Sequence, residues 1–184
     1  MIKPWTIETS RTIHADRWVD LRAERVVTPG GVVLDPFYVL RYPDWTVAIA
    51  LTAADEMVVI RQYRHGIGSV GLEFPGGCID AEDPSPLTAG MRELLEETGY
   101  GCGSGEYLGR FPANPAMQNN YMHVVLVRDA TKLAEPQLDH GEEIAVETIP
   151  VADVMELAVS GGLSQSMHVA ALFIAMRALG RLHY

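Results

Sequence analysis

The segment Arg92-Glu93-Leu94-Leu95-Glu96-Glu97-Thr98-Gly99-Tyr100 places three carboxylates at spacings of three and four. At about 100° per residue, Glu93, Glu96 and Glu97 gather on one side of a helix, roughly opposite Leu87, Met91, Leu94 and Leu95. Like charges so spaced repel by roughly a few tenths of a kcal/mol per pair. Carboxylates near a helix C-terminus also oppose the helix dipole. A solvated acidic face is the plain reading. A hard divalent cation offers another, because Mg²⁺ takes oxygen ligands from a few carboxylates, water and phosphate. Arg92 is placed to fix a carboxylate through a two-pronged hydrogen bond. A bound ion would relieve the repulsion among the three carboxylates.

The elements that must position these groups have readable ends. Ser85 suits a helix N-cap with Pro86 at the first helical position, and Gly99 stands where a C-terminal glycine cap belongs. Ahead of the helix, Thr46 to Leu51 and Met57 to Arg61 read as strands parted by a turn at Ala54-Asp55-Glu56. A glycine-rich loop then leads to Glu73-Phe74-Pro75-Gly76-Gly77. Short β segments occupy the first 45 residues: Trp18 to Arg22, Glu24 to Val27, Val32 to Leu34 and Phe37 to Leu40, with a turn at Pro29-Gly30-Gly31. After the acidic helix come strands at Tyr107 to Phe111, Met122 to Arg128 and Ile144 to Ile149. Helices at about 151–159 and about 164–180, parted by Gly161-Gly162, close the chain. Strands flanked by such helices predict a layered α/β or α+β fold.

Arg92, Glu93, Leu94, Glu96, Glu97, Gly99 and Tyr100 resemble the second half of the Nudix box, G-x5-E-x7-R-E-U-x-E-E-x-G-U, with U aliphatic. Glu73-Phe74-Pro75-Gly76-Gly77 is similar to the E-x-P-G-G stretch that opens the box in many members. The first half departs from the pattern. Six residues after Gly77 stands Asp83 rather than glutamate, and one extra residue separates it from Arg92. Glu82 or Asp83 therefore fills the supporting place. The resemblance implies a Nudix α/β/α sandwich with a mixed sheet over residues 46–184, preceded by a small N-terminal antiparallel β layer over 1–45. It also implies that Glu93, Glu96 and Glu97, with the Gly76 carbonyl, hold Mg²⁺ or alternatively Mn²⁺.

Beyond the box, the N-terminal β layer, Arg61-Gln62-Tyr63-Arg64 and the C-terminal helices resemble the ADP-ribose pyrophosphatase branch. That branch implies a homodimer with exchanged N-terminal sheets and hydrolysis of ADP-ribose or a related nucleotide sugar. Its catalytic-base glutamate lies in a loop before the last strand, where this chain has His140-Gly141-Glu142-Glu143-Ile144. Glu142 is preferred over Glu143, and a merely solvated loop is the competing reading. Arg61 and Arg64 are candidate phosphate partners, since arginine presents a rigid fork of donors. Glu73 and Asn120 complete the candidate substrate residues. Asn119 and Asn120 are equally at home in a turn, and Trp18, Trp45 and Tyr63 serve a core as readily as a base stack. GDP-mannose, NADH and dinucleoside polyphosphates remain alternative substrates, and a silent ligand-sensing module on the same fold is an alternative role.

The bulk composition sets outer bounds. A hydrophobic content of 48% with 21% charged residues supports a packed core. Fourteen basic and 24 acidic residues give a net charge of -10 with no basic stripe, which argues against nucleic acid as a partner. An anionic substrate must then be met by local arginines and bound metal. Cys78 and Cys102 lack C-x-x-C spacing and read as ordinary thiols. The apolar run from Val169 to Met176 is too short for a membrane span, and the N-terminus carries no signal-like stretch, so a cytoplasmic location is expected. Gly66-Ile67-Gly68-Ser69-Val70-Gly71 spells a dinucleotide fingerprint, but the E-F-P-G-G that follows does not open the required helix. No histidine pair with a nearby acid supports zinc.

Overall fold

The computed structural model describes residues 1–101 and 103–182; Cys102 lies outside them. Two compact units result, one of Met1–Asp44 with Pro112–Tyr121, the other of Trp45–Phe111 with Met122–Tyr184.

The first unit is a three-stranded antiparallel sheet of β1 (Thr6–Ala15), β2 (Asp20–Val27) and β3 (Val33–Arg41), in that order. The strand reading missed β1. Its residues alternate no apolar face, and all ten are exposed. In the 112–121 stretch, Asn114 closes a turn through its carbonyl, which accepts the amides of Met117 and Gln118. Asn119 accepts the Tyr42 N–H at 3.2 Å.

The second unit carries a mixed sheet. Its order is β11 (Ile144–Pro150), β5 (Glu56–Arg64), β4 (Trp45–Leu51), β9 (Tyr121–Arg128) and β8 (Ser104–Pro112). Strand β6 (Ser69–Glu73) pairs with β5 as a hairpin, so the glycine-rich stretch read as a loop is a turn followed by a strand. Strands β4 and β9 run parallel in the middle, and β11 pairs β5 antiparallel. A short antiparallel pair, β7 (Tyr100–Gly101) with β10 (Thr131–Lys132), completes the β structure.

Three helices cover the faces of that sheet. Val47, Ile49 and Leu51 point to a core shared with α2 (Val151–Ser160) and α3 (Ser166–Ala178). The intervening Ala48 and Ala50 face α1 (Pro86–Thr98) with Val58, Leu94, Val125 and Val127. Strands buried on both faces read as the continuous apolar runs seen in the sequence. The arrangement is the expected α/β/α sandwich. Among the described residues, no helix is long and apolar enough to cross a membrane.

Candidate active site

Helix α1 begins and ends where its sequence directs. Ser85 accepts the Thr88 N–H at 3.1 Å, Pro86 occupies the first turn, and Gly99 closes the helix at φ 70°. Leu94 is fully buried, whereas Leu95 is 39% exposed, which corrects its expected place on the buried face. The helix lies close on the sheet at Gly90, where a Cβ would stand 2.8 Å from both Thr46 Oγ1 and Val125 Cγ2. That approach brings the acidic side of α1 to the Pro75-Gly76-Gly77 turn.

The turn is stitched to β4. Thr46 N–H donates to the Gly77 carbonyl at 2.8 Å, and Ala48 N–H to the Pro75 carbonyl at 2.9 Å. Any side chain at Gly76 would strike the Thr46 carbonyl, and one at Gly77 would press on the Glu93 carboxylate. The P-G-G turn is therefore a steric requirement for placing backbone against the carboxylates of Glu93 and Glu97. Gly76 N–H donates to Glu97 at 2.7 Å.

Arg92 organises the outer carboxylates. Its Nη1 donates to Glu93 at 3.0 Å and to Glu96 at 2.8 Å. Its Nε and Nη2 grip Asp83 at 3.1 and 2.8 Å. Of the two candidates for the supporting acid, Asp83 makes this bond. The carboxylates around Arg92 hold its guanidinium further toward the charged form than usual.

The charge of the cluster is not balanced by Arg92 alone. Burial pushes Glu97 up to about 8, with Glu93 and Glu142 adding repulsion against the Gly76 N–H. Burial likewise raises Glu93 to about 7, despite Arg92. A buried and a half-buried carboxylate, raised by burial even with Arg92 donating to one of them, fit a further cation. Among the described residues, no three acidic, histidine or cysteine side chains already converge as a closed metal cage. Such a cage is not required, since Mg²⁺ keeps several waters and uses few protein ligands.

The remaining candidates separate into two groups. Arg64 and Glu142 belong with the cluster: the charge of Arg64 is acted on by Glu73, Glu97 and Glu142. Glu142 accepts the Asp139 N–H at 3.0 Å and sits in the turn before β11, while Glu143 is exposed. The preceding loop is tied to α1, with Gln137 N–H donating to the Glu96 carbonyl at 2.7 Å. Glu73, expected to face substrate, is wholly buried and taken up by Arg64, Ser164 and Gln165. Arg61 is engaged by Glu147 at 2.6 Å. Asn120, in the first unit, is also buried, its amide donating to the Pro43 carbonyl at 3.0 Å. Neither Glu73 nor Asn120 offers an exposed side chain, because Glu73 is enclosed by its donors and Asn120 is buried with its amide nitrogen on the Pro43 carbonyl.

Sequence reasoning overlooked Ser164, Gln165 and His168. The His168 ring accepts the Phe74 N–H at 3.0 Å, and complete burial pulls it down to about 4, against the attraction of Glu73. No local spacing announces these contacts, which span more than ninety positions along the chain.

Comparison with known proteins agrees with this geometry. Residues 43–167 match the NUDIX domain family, and residues 5–40 match the nucleoside diphosphate sugar hydrolase N-terminal domain. A methanol dehydrogenase activator of Bacillus methanolicus is 31% identical over 127 residues, covering 69% of this chain and 67% of the relative. An ADP-ribose pyrophosphatase of Bacillus subtilis (strain 168) is 26% identical over 149 residues, 80% of each chain. The crystal structure of an ADP compounds hydrolase has the same fold, with a TM-score of 0.85 over 99% of both chains at 23% identity. The acidic helix, its glycine turn and these matches together make the chain a member of the NUDIX domain family.

Proposed function

We propose that the protein hydrolyses the pyrophosphate bond of ADP-ribose or a closely related nucleotide sugar, with Mg²⁺ bound at Glu93, Glu96, Glu97 and the Gly76 carbonyl. The observation that carries this reading is that Glu97, buried, and Glu93, half-buried, meet at the glycine turn, where burial raises them to about 8 and 7 even though Arg92 donates to Glu93. Hydrolases of this family need a divalent metal. A divalent ion held there by Glu93, Glu96, Glu97 and the Gly76 carbonyl would supply Lewis-acid stabilisation of negative charge on phosphate and would acidify a water.

The chain's own groups divide the remaining work. Arg92 orients Glu93 and Glu96 by direct donation. Arg64 meets a phosphate of the substrate with its outer edge, in a molecule whose net charge of -10 otherwise repels it. Glu142 takes the proton of the attacking water. The water oxygen bonds to one phosphorus as the bridging P–O bond breaks, so ADP-ribose and water become AMP and ribose 5-phosphate. A ligand-sensing module has no use for an intact, mutually repelling glutamate cluster.

The same reading includes a homodimer formed through the N-terminal layer. Support comes from β1, an edge strand that exposes Ile7 at 58% and Ile13 at 41%. Incubation with Mg²⁺ and a panel of ADP-ribose, ADP-glucose, GDP-mannose, NADH and diadenosine polyphosphates tests the substrate. ADP-ribose or an ADP-sugar is expected to give the highest kcat/KM. A clear preference for GDP-mannose or a dinucleotide would move the substrate assignment, and sedimentation as a monomer at micromolar concentration would remove the dimer.

A further inference from the structure

Glu73 presents a buried carboxylate with an unusual set of donors. Arg64 reaches it with Nε at 3.0 and 3.2 Å and Nη2 at 2.7 Å. Two neutral groups from a distant segment complete the shell: Ser164 Oγ at 2.8 Å and Gln165 Nε2 at 2.6 Å. That segment is fixed in place. Leu163 bridges Leu72 in parallel register, and Ser164 N–H donates to the Leu72 carbonyl at 3.1 Å. Gly71 lies so near Ser164 that any side chain there would collide with it.

Gln165 occupies the N-cap of α3 yet makes no capping hydrogen bond. Serine, threonine, aspartate or asparagine at an N-cap stabilises a helix by about 1 kcal/mol over a non-capping residue. A position that forgoes this local gain and directs its amide into a buried carboxylate has another task. Glu73 is held in its charged form by Arg64 and Ser164 against the effect of burial, so the Gln165 contact must be made by the NH₂ side of the amide.

We propose that Gln165 and Ser164 are positioning residues for Arg64, acting through Glu73. With the amide and hydroxyl filling the inner sites of the carboxylate, Arg64 is gripped along its Nε–Nη2 edge only. Its Nη1 is left out of that grip, on a side chain that remains 41% exposed and under the influence of Glu97 and Glu142. Removing the amide leaves a buried carboxylate short of a donor, which is strongly unfavourable. The nearest mobile donor is the rest of the Arg64 guanidinium, and its turn inward withdraws it from the substrate. This inference rests on the reading of Arg64 as a phosphate partner.

The test is a double-mutant cycle of Gln165→Met, Arg64→Ala and both together, with KM and kcat measured on ADP-ribose at saturating Mg²⁺. Gln165→Met alone is expected to raise KM about tenfold with a much smaller change in kcat, the pattern of lost ground-state binding. In the Arg64→Ala background it should raise KM no further. Additive effects on KM overturn the proposal. A second readout needs no turnover: the Arg64 Nε–H signal in side-chain ¹⁵N NMR should shift and exchange faster with water in Gln165→Met. An unchanged signal also overturns the proposal. If the wild-type protein turns over nothing in the panel, the functional reading fails, and this signal still decides the positioning role. Should Gln165→Met fail to fold, Ser164→Ala carries both measurements with a smaller change in volume.

Discussion

Among single residues, groups of the same type differ by their surroundings. Glu142 is electrostatically linked to Glu93, Glu97 and Arg64, whereas Glu143 is exposed beside it. Glu142→Gln is therefore expected to lower kcat by about 10²- to 10⁴-fold, the usual contribution of a general base. Glu143→Gln should stay near wild type, and the reverse ranking in steady-state assays would reassign the base. His168 supplies a separate pH signature, facing Glu73 and Arg64. Its folded-state value near 4 lies below the unfolded 6.5, so the stability it supports is whole above pH 6.5 and falls toward pH 4. The loss is on the order of 3 kcal/mol. Urea denaturation of the metal-free protein across that range, compared with His168→Asn, should show the extra slope only in wild type. The clustering of Glu93, Glu96 and Glu97 beside Arg92 was legible because their spacing and types are local. Glu73 was legible as part of a motif but not as a clamp, since Ser164 and Gln165, which complete its shell with Arg64, lie 91 and 92 positions downstream.

Elements set how near those residues come to one another. Helix α1 was readable from Ser85, Pro86 and Gly99, each of which acts as a cap or first-turn residue should. Its closeness to the sheet was not readable, because it depends on Gly90 meeting Thr46 and Val125 from two other strands. Gly90→Ala gains about 1 kcal/mol of helix propensity but overpacks a tight contact at a cost of about 1–3 kcal/mol. The expected result is a Tm lower by ~5 °C or less with a larger loss of kcat, as the glutamates are lifted from the glycine turn. An unchanged kcat would show that the approach of α1 does not govern the site. Strand β1 escaped notice because all ten of its residues are exposed and carry no alternating pattern. Strand β6 escaped because its glycines resemble a loop, although Gly71 is there to admit Ser164.

For the whole molecule, a net charge of -10 surrounds a site that must receive an anion. Mobile ions screen that field over about 10 Å at 0.1 M. At saturating metal, kcat/KM for an anionic substrate should rise modestly between low and moderate ionic strength; a steep fall would point to a positive steering surface that the composition does not contain. A layered α/β or α+β fold was legible from apolar runs alternating with helices and its α/β/α form only through the family resemblance, while the inclusion of Pro112–Tyr121 in the N-terminal unit was not legible. The central claim is that Glu93, Glu96 and Glu97 make this protein a metal-dependent pyrophosphate hydrolase. It is tested most directly by assaying AMP release from ADP-ribose with Mg²⁺, with excess chelator, and with Glu97→Gln under the same Mg²⁺. The expected result is turnover that chelator abolishes and that Glu97→Gln lowers by at least ~100-fold while leaving the fold intact. Turnover that persists in chelator, or in a folded Glu97→Gln variant at the wild-type rate, would contradict it.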